Sequence, residues 1–327
     1  MQDELLQSLG AYFDLMTHNG AAVVFHQSKA LGIFESFQGG SKSAEDVARE
    51  RGLKVEPCRR VLECLKEMTL LESDGEKYSP TLAMKFLSGQ YADLGKEYWD
   101  HLPAFARSGE PIARMDSVEE SENQYKKQVS SLDWMMRPSA IHVTEYLISS
   151  RKREGAAVLD LGAGSGVWSF MYVAQDPAAR ALLVDWNAVL DVARKSASEL
   201  GIEAQVGYLP GNYHELRLPK REFDFAILGN VTHIETEDGL HDLLTRAKEC
   251  LKPGGEIVIL DLLPTDAKGK LGASLYTLGL ALRTEKGRVY SLEELKKACT
   301  RAGLEFTEFY PVPVTPFTMG MVTARRP

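Results

Sequence analysis

The stretch Val158-Leu159-Asp160-Leu161-Gly162-Ala163-Gly164-Ser165-Gly166 constrains this chain more than any other. It reads as a buried strand running into a glycine-rich turn, with a helix expected from about Val167. Glycines there permit backbone angles closed to other residues and let a ligand approach without a Cβ in the way. The free N–H groups of the following helix point at whatever the loop holds. Spacing narrows the ligand. A dinucleotide loop carries glycine at its first, third and sixth positions. Here the sixth is Val167, and the glycines stand first, third and fifth.

Charge and composition restrict the partners. A net charge of −8 argues against nucleic acid, which selects a basic surface. No apolar run is long enough to cross a bilayer, and the acidic Met1-Gln2-Asp3-Glu4 has no apolar leader core, so a cytoplasmic protein is expected. Cys58, Cys64, Cys250 and Cys299 are scattered without a C-x-x-C pair. Reduced thiols in helices are expected, with neither a disulfide frame nor a metal site.

From residue 151 onward, strand and helix patterns alternate. Strands are expected over 156–161, 181–185, 204–208, 223–228 and 256–260. Helices are expected over 167–174, 188–200 and 239–251, and from the capping box Ser291-Leu292-Glu293-Glu294 to about Gly303. Lys252-Pro253-Gly254-Gly255 is expected to break the helix before the strand over 256–260. Such alternation implies an α/β domain, a parallel, doubly wound Rossmann-like sheet with its site at the C-terminal strand ends. Residues 1–95 differ in texture. Helical spacing covers 5–34, Ser43-Ala44-Glu45-Asp46 opens a helix into Arg51, 57–71 is amphipathic, and Asp74-Gly75 centres a hairpin. Three helices and a wing read as a mainly α-helical winged-helix domain. Residues 96–150 read as a helical linker that contributes to an acceptor pocket, and 151–327 as the α/β domain.

The glycine loop, with Asp160 two residues before it, resembles motif I of class I S-adenosylmethionine (SAM) methyltransferases. Asp185, Gly211-Asn212-Tyr213, the segment around His233, Leu251-Lys252-Pro253-Gly254-Gly255 and Ala302-Gly303-Leu304 extend the match, as do Ala30-Leu31-Gly32-Ile33-Phe34 and Tyr78-Ser79-Pro80-Thr81. Over nearly its full length the chain resembles the O-methyltransferases related to plant caffeate and hydroxyindole O-methyltransferases. The resemblance implies a homodimer formed through the winged-helix domain, SAM as cofactor with no metal, a small-molecule acceptor, and neither nucleic acid nor membrane as partner.

It also implies roles for particular residues. Gly162, Gly164 and Gly166 would turn beside the amino-acid portion of SAM, with Asp160 organising the loop or an ordered water. Asp185 would accept from the ribose hydroxyls, and Trp186 would pack on ribose or adenine or else be a core aromatic. Asn212, beside Tyr213, stands where the family has an aspartate that accepts from the adenine amino group; an amide oxygen still accepts but brings no charge. Gly229 stands where many members carry lysine. His233 matches the general base, although Ile234-Glu235 follows it in place of Asp-Trp. A phenol with a pKa near about 10 is a poor nucleophile until an imidazole, with a pKa near about 6.5, removes its proton. Asp261 matches the first acid that orients this histidine. The second is missing, because Gly287-Arg288-Val289 replaces the acid-bearing segment and Glu285 lies two residues earlier.

The acceptor pocket is expected from 95–140 and 270–290, with Trp134, Met135, Met136 and Tyr276, together with Tyr98, Trp99, Phe105 and Leu280, favouring a flat apolar acceptor. Arg137 and Arg283 would hold a carboxylate or lie at the surface. The expected activity is SAM-dependent O-methylation of an aromatic small molecule. The alternatives are S-, N- or C-methylation, or a non-methylating relative that binds SAM.

Overall fold

The computed structural model describes residues 2–87, 94–112, 118–263, 270–313 and 319–327. The chain divides into two compact units, Met1–Lys96 and Glu97–Pro327.

The first unit runs through α1 (Gln2–Ala30), α2 (Ile33–Ser36), α3 (Ala44–Arg51), α4 (Val55–Glu67), β1 (Leu71–Ser73), β2 (Tyr78–Pro80) and α5 (Leu82–Leu87). The Ser43 hydroxyl accepts from the Asp46 N–H at 3.1 Å while the Asp46 carboxylate accepts from the Ser43 hydroxyl at 2.7 Å. Such a reciprocal cap contributes about 1 kcal/mol and fixes where α3 starts. Asp74 Oδ1 accepts from the N–H groups of Glu76 and Lys77 at 2.9 and 2.8 Å, and Gly75 takes φ 101°, which closes the β1–β2 hairpin. Phe25, Ile33, Phe34, Val47, Leu62 and Leu65 form the core of this unit. The helices and the hairpin expected of a winged helix are thus present.

The second unit follows with α6 (Lys96–Asp100), α7 (Leu102–Ser108), α8 (Val118–Arg151), β3 (Ala157–Leu161), α9 (Val167–Gln175), β4 (Arg180–Asp185), α10 (Asn187–Leu200), β5 (Val206–Pro210), β6 (Phe223–Gly229), α11 (Glu237–Cys250), β7 (Leu251–Leu262), α12 (Lys270–Ala281), α13 (Leu292–Arg301), β8 (Glu305–Val312) and β9 (Met319–Arg325). Among the described residues the sheet order is β5-β4-β3-β6-β7-β9-β8. The first five strands of that order are parallel to their neighbours. Strand order reverses between β3 and β6, which opens a crevice at their C-terminal ends.

Two expectations need correction. The sheet is mixed rather than wholly parallel, because β9 pairs antiparallel with both β7 and β8. The helix does end ahead of Lys252–Gly255, at Cys250, but the strand starts earlier than expected, because that segment is already part of β7. Gly254 takes φ 75°, its N–H donates to the Arg326 carbonyl at 3.0 Å, and the Gly255 carbonyl accepts from the Arg326 N–H at 2.8 Å. The glycine pair bends the strand without costing it a partner.

Alternate residues sort to opposite faces, as a pleated strand requires. Val158, Phe225 and Val258 join α8, α9 and α10 in one core, while Leu159, Ala226 and Ile257 join α11 and α13 in the other. Both faces of the sheet are therefore covered, and its central strands β3, β6 and β7 are buried almost throughout. All four cysteines are free, each in a helix. No helix of the described residues is long and apolar enough to cross a membrane.

Candidate active site

The glycine loop closes over the end of β3. Gly162, Gly164 and Gly166 take φ 71°, 58° and 81°, a left-handed region that penalises any Cβ. The N–H groups of Gly162 and Ala163 both donate to the Val184 carbonyl, at 2.9 and 3.2 Å, hooking the loop onto β4. A Cβ at Gly162 would meet Val231 at 2.6 Å and one at Gly166 would meet Phe170 at 2.5 Å. One at Gly164 would meet nothing within 4 Å, so that residue faces open space. A cleft of about 40 Å³ lies here, lined by the loop, Trp168, Gly229, Asn230 and Met136.

Two buried acids sit beneath the loop. Asp185 Oδ2 accepts from the Gly164 N–H at 2.8 Å and its Oδ1 from the Trp186 N–H at 2.7 Å. Burial pushes its pKa up to about 6, against the pull of those two donors. Asp160 Oδ2 accepts from the Ser169 hydroxyl at 2.6 Å, while its Oδ1 has no partner among the described residues. Burial raises Asp160 to about 7; Ser169 pulls the other way, and the nearby Asp185 charge adds to the rise. An unpartnered buried oxygen, an open glycine face and a strand-end acid with spare lone pairs fit a polar cofactor carrying N–H and O–H donors.

The second centre lies between the ends of β6 and β7. Asp261 accepts from His233 Nδ1 at 2.8 Å, the Thr232 hydroxyl at 2.5 Å, the His233 N–H at 3.1 Å and the Leu262 N–H at 2.8 Å. Its burial would raise the carboxyl pKa, but the His233 charge and these donors outweigh that and hold it below the usual range. An ionised Asp261 accepts a hydrogen bond from Nδ1–H, which leaves the lone pair on Nε2. Nε2 lies 3.3 Å from the Tyr276 hydroxyl, whose ring stands edge-on to the imidazole. The pair has the geometry of a base and its orienting acid.

The missing second acid has a local cause. A Cβ at Gly287 would lie 2.3 Å from Thr284 Oγ1, which accepts from the Gly287 N–H at 3.1 Å in a tight turn. The Arg288 N–H then donates to the His233 carbonyl at 2.8 Å, so a turn backs the histidine where the family has a carboxylate. Glu285 is exposed. Gly229 has a similar explanation: a Cβ there would lie 2.2 Å from Trp168, which fills the space a lysine would need.

Other expected residues fall into two groups. Tyr213 has its ring within 3.6 Å of where a Gly162 Cβ would stand, beside the loop. Trp186 is half-buried at the start of α10. The Asn212 oxygen accepts from the His214 N–H at 3.0 Å and its amide donates to Glu215 at 3.1 Å, so the side chain serves its own turn. Met136 lines the loop cleft, whereas Trp134 and Met135, half-buried on α8, are not among its lining residues. Arg283 donates to the Gly279 carbonyl at 2.9 Å and stacks over Tyr98 at 5.0 Å, while Arg137 pairs with Asp133 at 2.5 Å. Part of the expected pocket, 113–117, lies outside the described residues. Sequence reading missed a cluster around His214, whose two ring nitrogens lie 2.9 Å from Glu235 and 2.8 Å from Asp242.

Comparison with known proteins adds to this geometry. Residues 106–305 match the model of a family described as the O-methyltransferase domain. Acetylserotonin O-methyltransferase of Bos taurus is 30% identical over 210 residues, 58% of this chain and 59% of that protein. The N,N-dimethyltransferase OxyT of Streptomyces rimosus is 25% identical over 307 residues, 85% of this chain and 87% of its own. Human N-acetylserotonin methyltransferase, solved in complex with SAM, is 20% identical and covers 98% of each chain with a TM-score of 0.71, a likeness of fold.

The raised pKa of Asp160 carries a stability consequence. The folded chain holds this proton far more tightly than the unfolded chain, whose carboxyl titrates near about 3.9. Stability linked to Asp160 is therefore full below about pH 4 and is lost as pH climbs toward the folded value. Asp160→Asn removes the dependence. Its melting temperature relative to wild type is expected to improve steadily from about pH 4 to about pH 8. Thermal denaturation across that range checks this, and a constant difference refutes it.

Proposed function

From the chain's membership of the O-methyltransferase domain family, we propose that it transfers a methyl group from SAM to the hydroxyl of an aromatic small molecule. The observation that carries this reading is the Tyr276 phenol held 3.3 Å from His233 Nε2, the contact an acceptor phenol needs in order to lose its proton. Bound at the Gly162–Gly166 loop, Asp185, Trp186 and Asn212–Tyr213, SAM would supply an electrophilic methyl on a sulfonium sulfur. Asp261 keeps the Nδ1 proton in place, His233 Nε2 takes the acceptor proton, and the ionised Asp261 steadies the imidazolium that results. Trp134, Met135, Met136 and Tyr276 are the proposed acceptor lining, with apolar and aromatic surface suited to a flat ring. Arg283 is engaged on Tyr98 and takes no part in the proposal.

A second reading, N-methylation, is favoured by the turn at Gly287 that excludes a second acid. An amine that is already unprotonated needs less help from a base than a phenol does.

We also propose that the protein is a cytoplasmic homodimer joined through its N-terminal unit. Helix α1 exposes Leu5, Leu6, Leu9, Tyr12, Phe13 and Met16, more apolar surface than a lone helix face leaves in water. Light scattering is expected to give twice the chain mass for wild type, and the single-chain mass for the Leu9→Glu/Phe13→Glu variant. A monomeric wild type refutes the dimer.

The decisive assay supplies methyl-labelled SAM with a pool of phenols, thiols and amines, and reads labelled products by mass spectrometry. Label on a phenol is expected. His233→Ala is expected to lower kcat by about a hundredfold or more while SAM binding persists. Undiminished turnover in that variant removes the general base, and label on an amine transfers the reading to nitrogen.

A further inference from the structure

His214 sits between two carboxylates. Its Nε2 lies 2.9 Å from Glu235 Oε1 and its Nδ1 lies 2.8 Å from Asp242 Oδ2. Both contacts are hydrogen bonds only if both nitrogens carry a proton, because a neutral imidazole has a single N–H. The geometry therefore describes an imidazolium. Glu235 is buried, and the same Oε1 also accepts from the Tyr213 hydroxyl at 2.7 Å. Its other oxygen presses on Gly239, where a Cβ would lie 2.3 Å away. Arg246 of α11 completes the arrangement, donating to the carbonyls of Tyr213, at 2.9 Å, and Leu216.

These residues join three segments. Tyr213 and His214 belong to the turn after β5 that follows Gly211, Glu235 ends the turn that holds His233, and Asp242 lies on α11. We propose that Tyr213, His214, Glu235 and Asp242 form a protonation-dependent latch that positions the cofactor-side turn 211–216 against the turn carrying His233. The proposal rests on the methyltransferase reading given above. The charged groups that face His214 are Glu235, from the turn carrying His233, and Asp242, from α11, with the Tyr213 ring beside it at 4.8 Å between centroids. Glu235 first, and Asp242 after it, hold the imidazole pKa above its ordinary value against desolvation. The latch is therefore fully closed below about pH 6.5, the ordinary imidazole value. It opens as pH rises through the higher folded value, when one carboxylate is left facing a bare nitrogen.

Calorimetric titration with S-adenosylhomocysteine tests this without turnover. Wild-type affinity is expected to fall by about fivefold or more between about pH 6.5 and about pH 9. His214→Asn is expected to bind at the weaker level throughout. Asp160 and Asp185 also ionise in the lower part of this range but are intact in that variant, so the difference between the two curves isolates His214. Asp242→Asn, at a half-exposed position that folding tolerates, is expected to shift the fall to lower pH. Tight wild-type binding that is flat in pH, or a His214→Asn curve that retains the wild-type slope, overturns the latch alone. Failure of the wild type to bind S-adenosylhomocysteine at any pH overturns the methyltransferase reading and the latch with it.

Discussion

Four hydrogen bonds converge on the Asp261 carboxylate, as many as its lone pairs can accept, and the candidate site depends on that saturation. A buried carboxylate with fewer donors would take up a proton, as Asp160 is inclined to do. Satisfied in this way, Asp261 stays ionised and dictates which nitrogen of His233 is bare. The antiparallel edge of the sheet takes part. Asp261 pairs with Gly320 of β9, where a Cβ would strike Leu263 and Phe309 at 2.6 Å. A strand absent from the sequence-based expectation thus supports Asp261, the acid proposed to orient His233.

What the sequence disclosed follows from the range over which each signal acts. The glycine loop, the capping boxes at Ser43 and Ser291 and the Asp74-Gly75 hairpin are local, decided within a few residues, and each appears where expected. The edge strand β8 was not legible, because it is half-wet along its length and lacks a continuous apolar run. The Lys252–Gly255 segment carries the composition of a break. Only its pairing with Arg326, at the far end of the chain, keeps it in the sheet. His233 with Asp261 came from family register, whereas the His214 cluster joins residues up to 28 positions apart that match no motif.

The loop is built from conformations and charges that resist the fold. Three glycines sit in left-handed angles, Asn230 takes φ 59° without being glycine, and two acids are buried with pKa values near neutrality. The glycines relieve the strain of those angles, whereas Asn230 and the two buried acids carry a cost in the fold, and features of this kind gather at binding sites. A ligand that donates to Asp185 and Asp160 would offset the cost of ionising them, so the proposed cofactor and the fold stabilise one another. Trp168 adds a boundary. It packs over Gly229 and donates to Asn230 at 3.3 Å, closing that side of the crevice.

The two histidines make opposite demands on the proton. In the proposed reaction His233 works only while Nε2 is bare. His214 holds both of its carboxylates only while it is charged, and Glu235 lifts its pKa above that of an ordinary imidazole. The charge of His214 is set by Glu235 and Asp242, residues apart from the proposed base. Because Glu235 stands two positions after His233, the residue that keeps the latch charged lies in the turn that carries the base. A change in that turn which repositions one histidine therefore moves the other, and the pH range for cofactor retention is coupled to the geometry of proton removal.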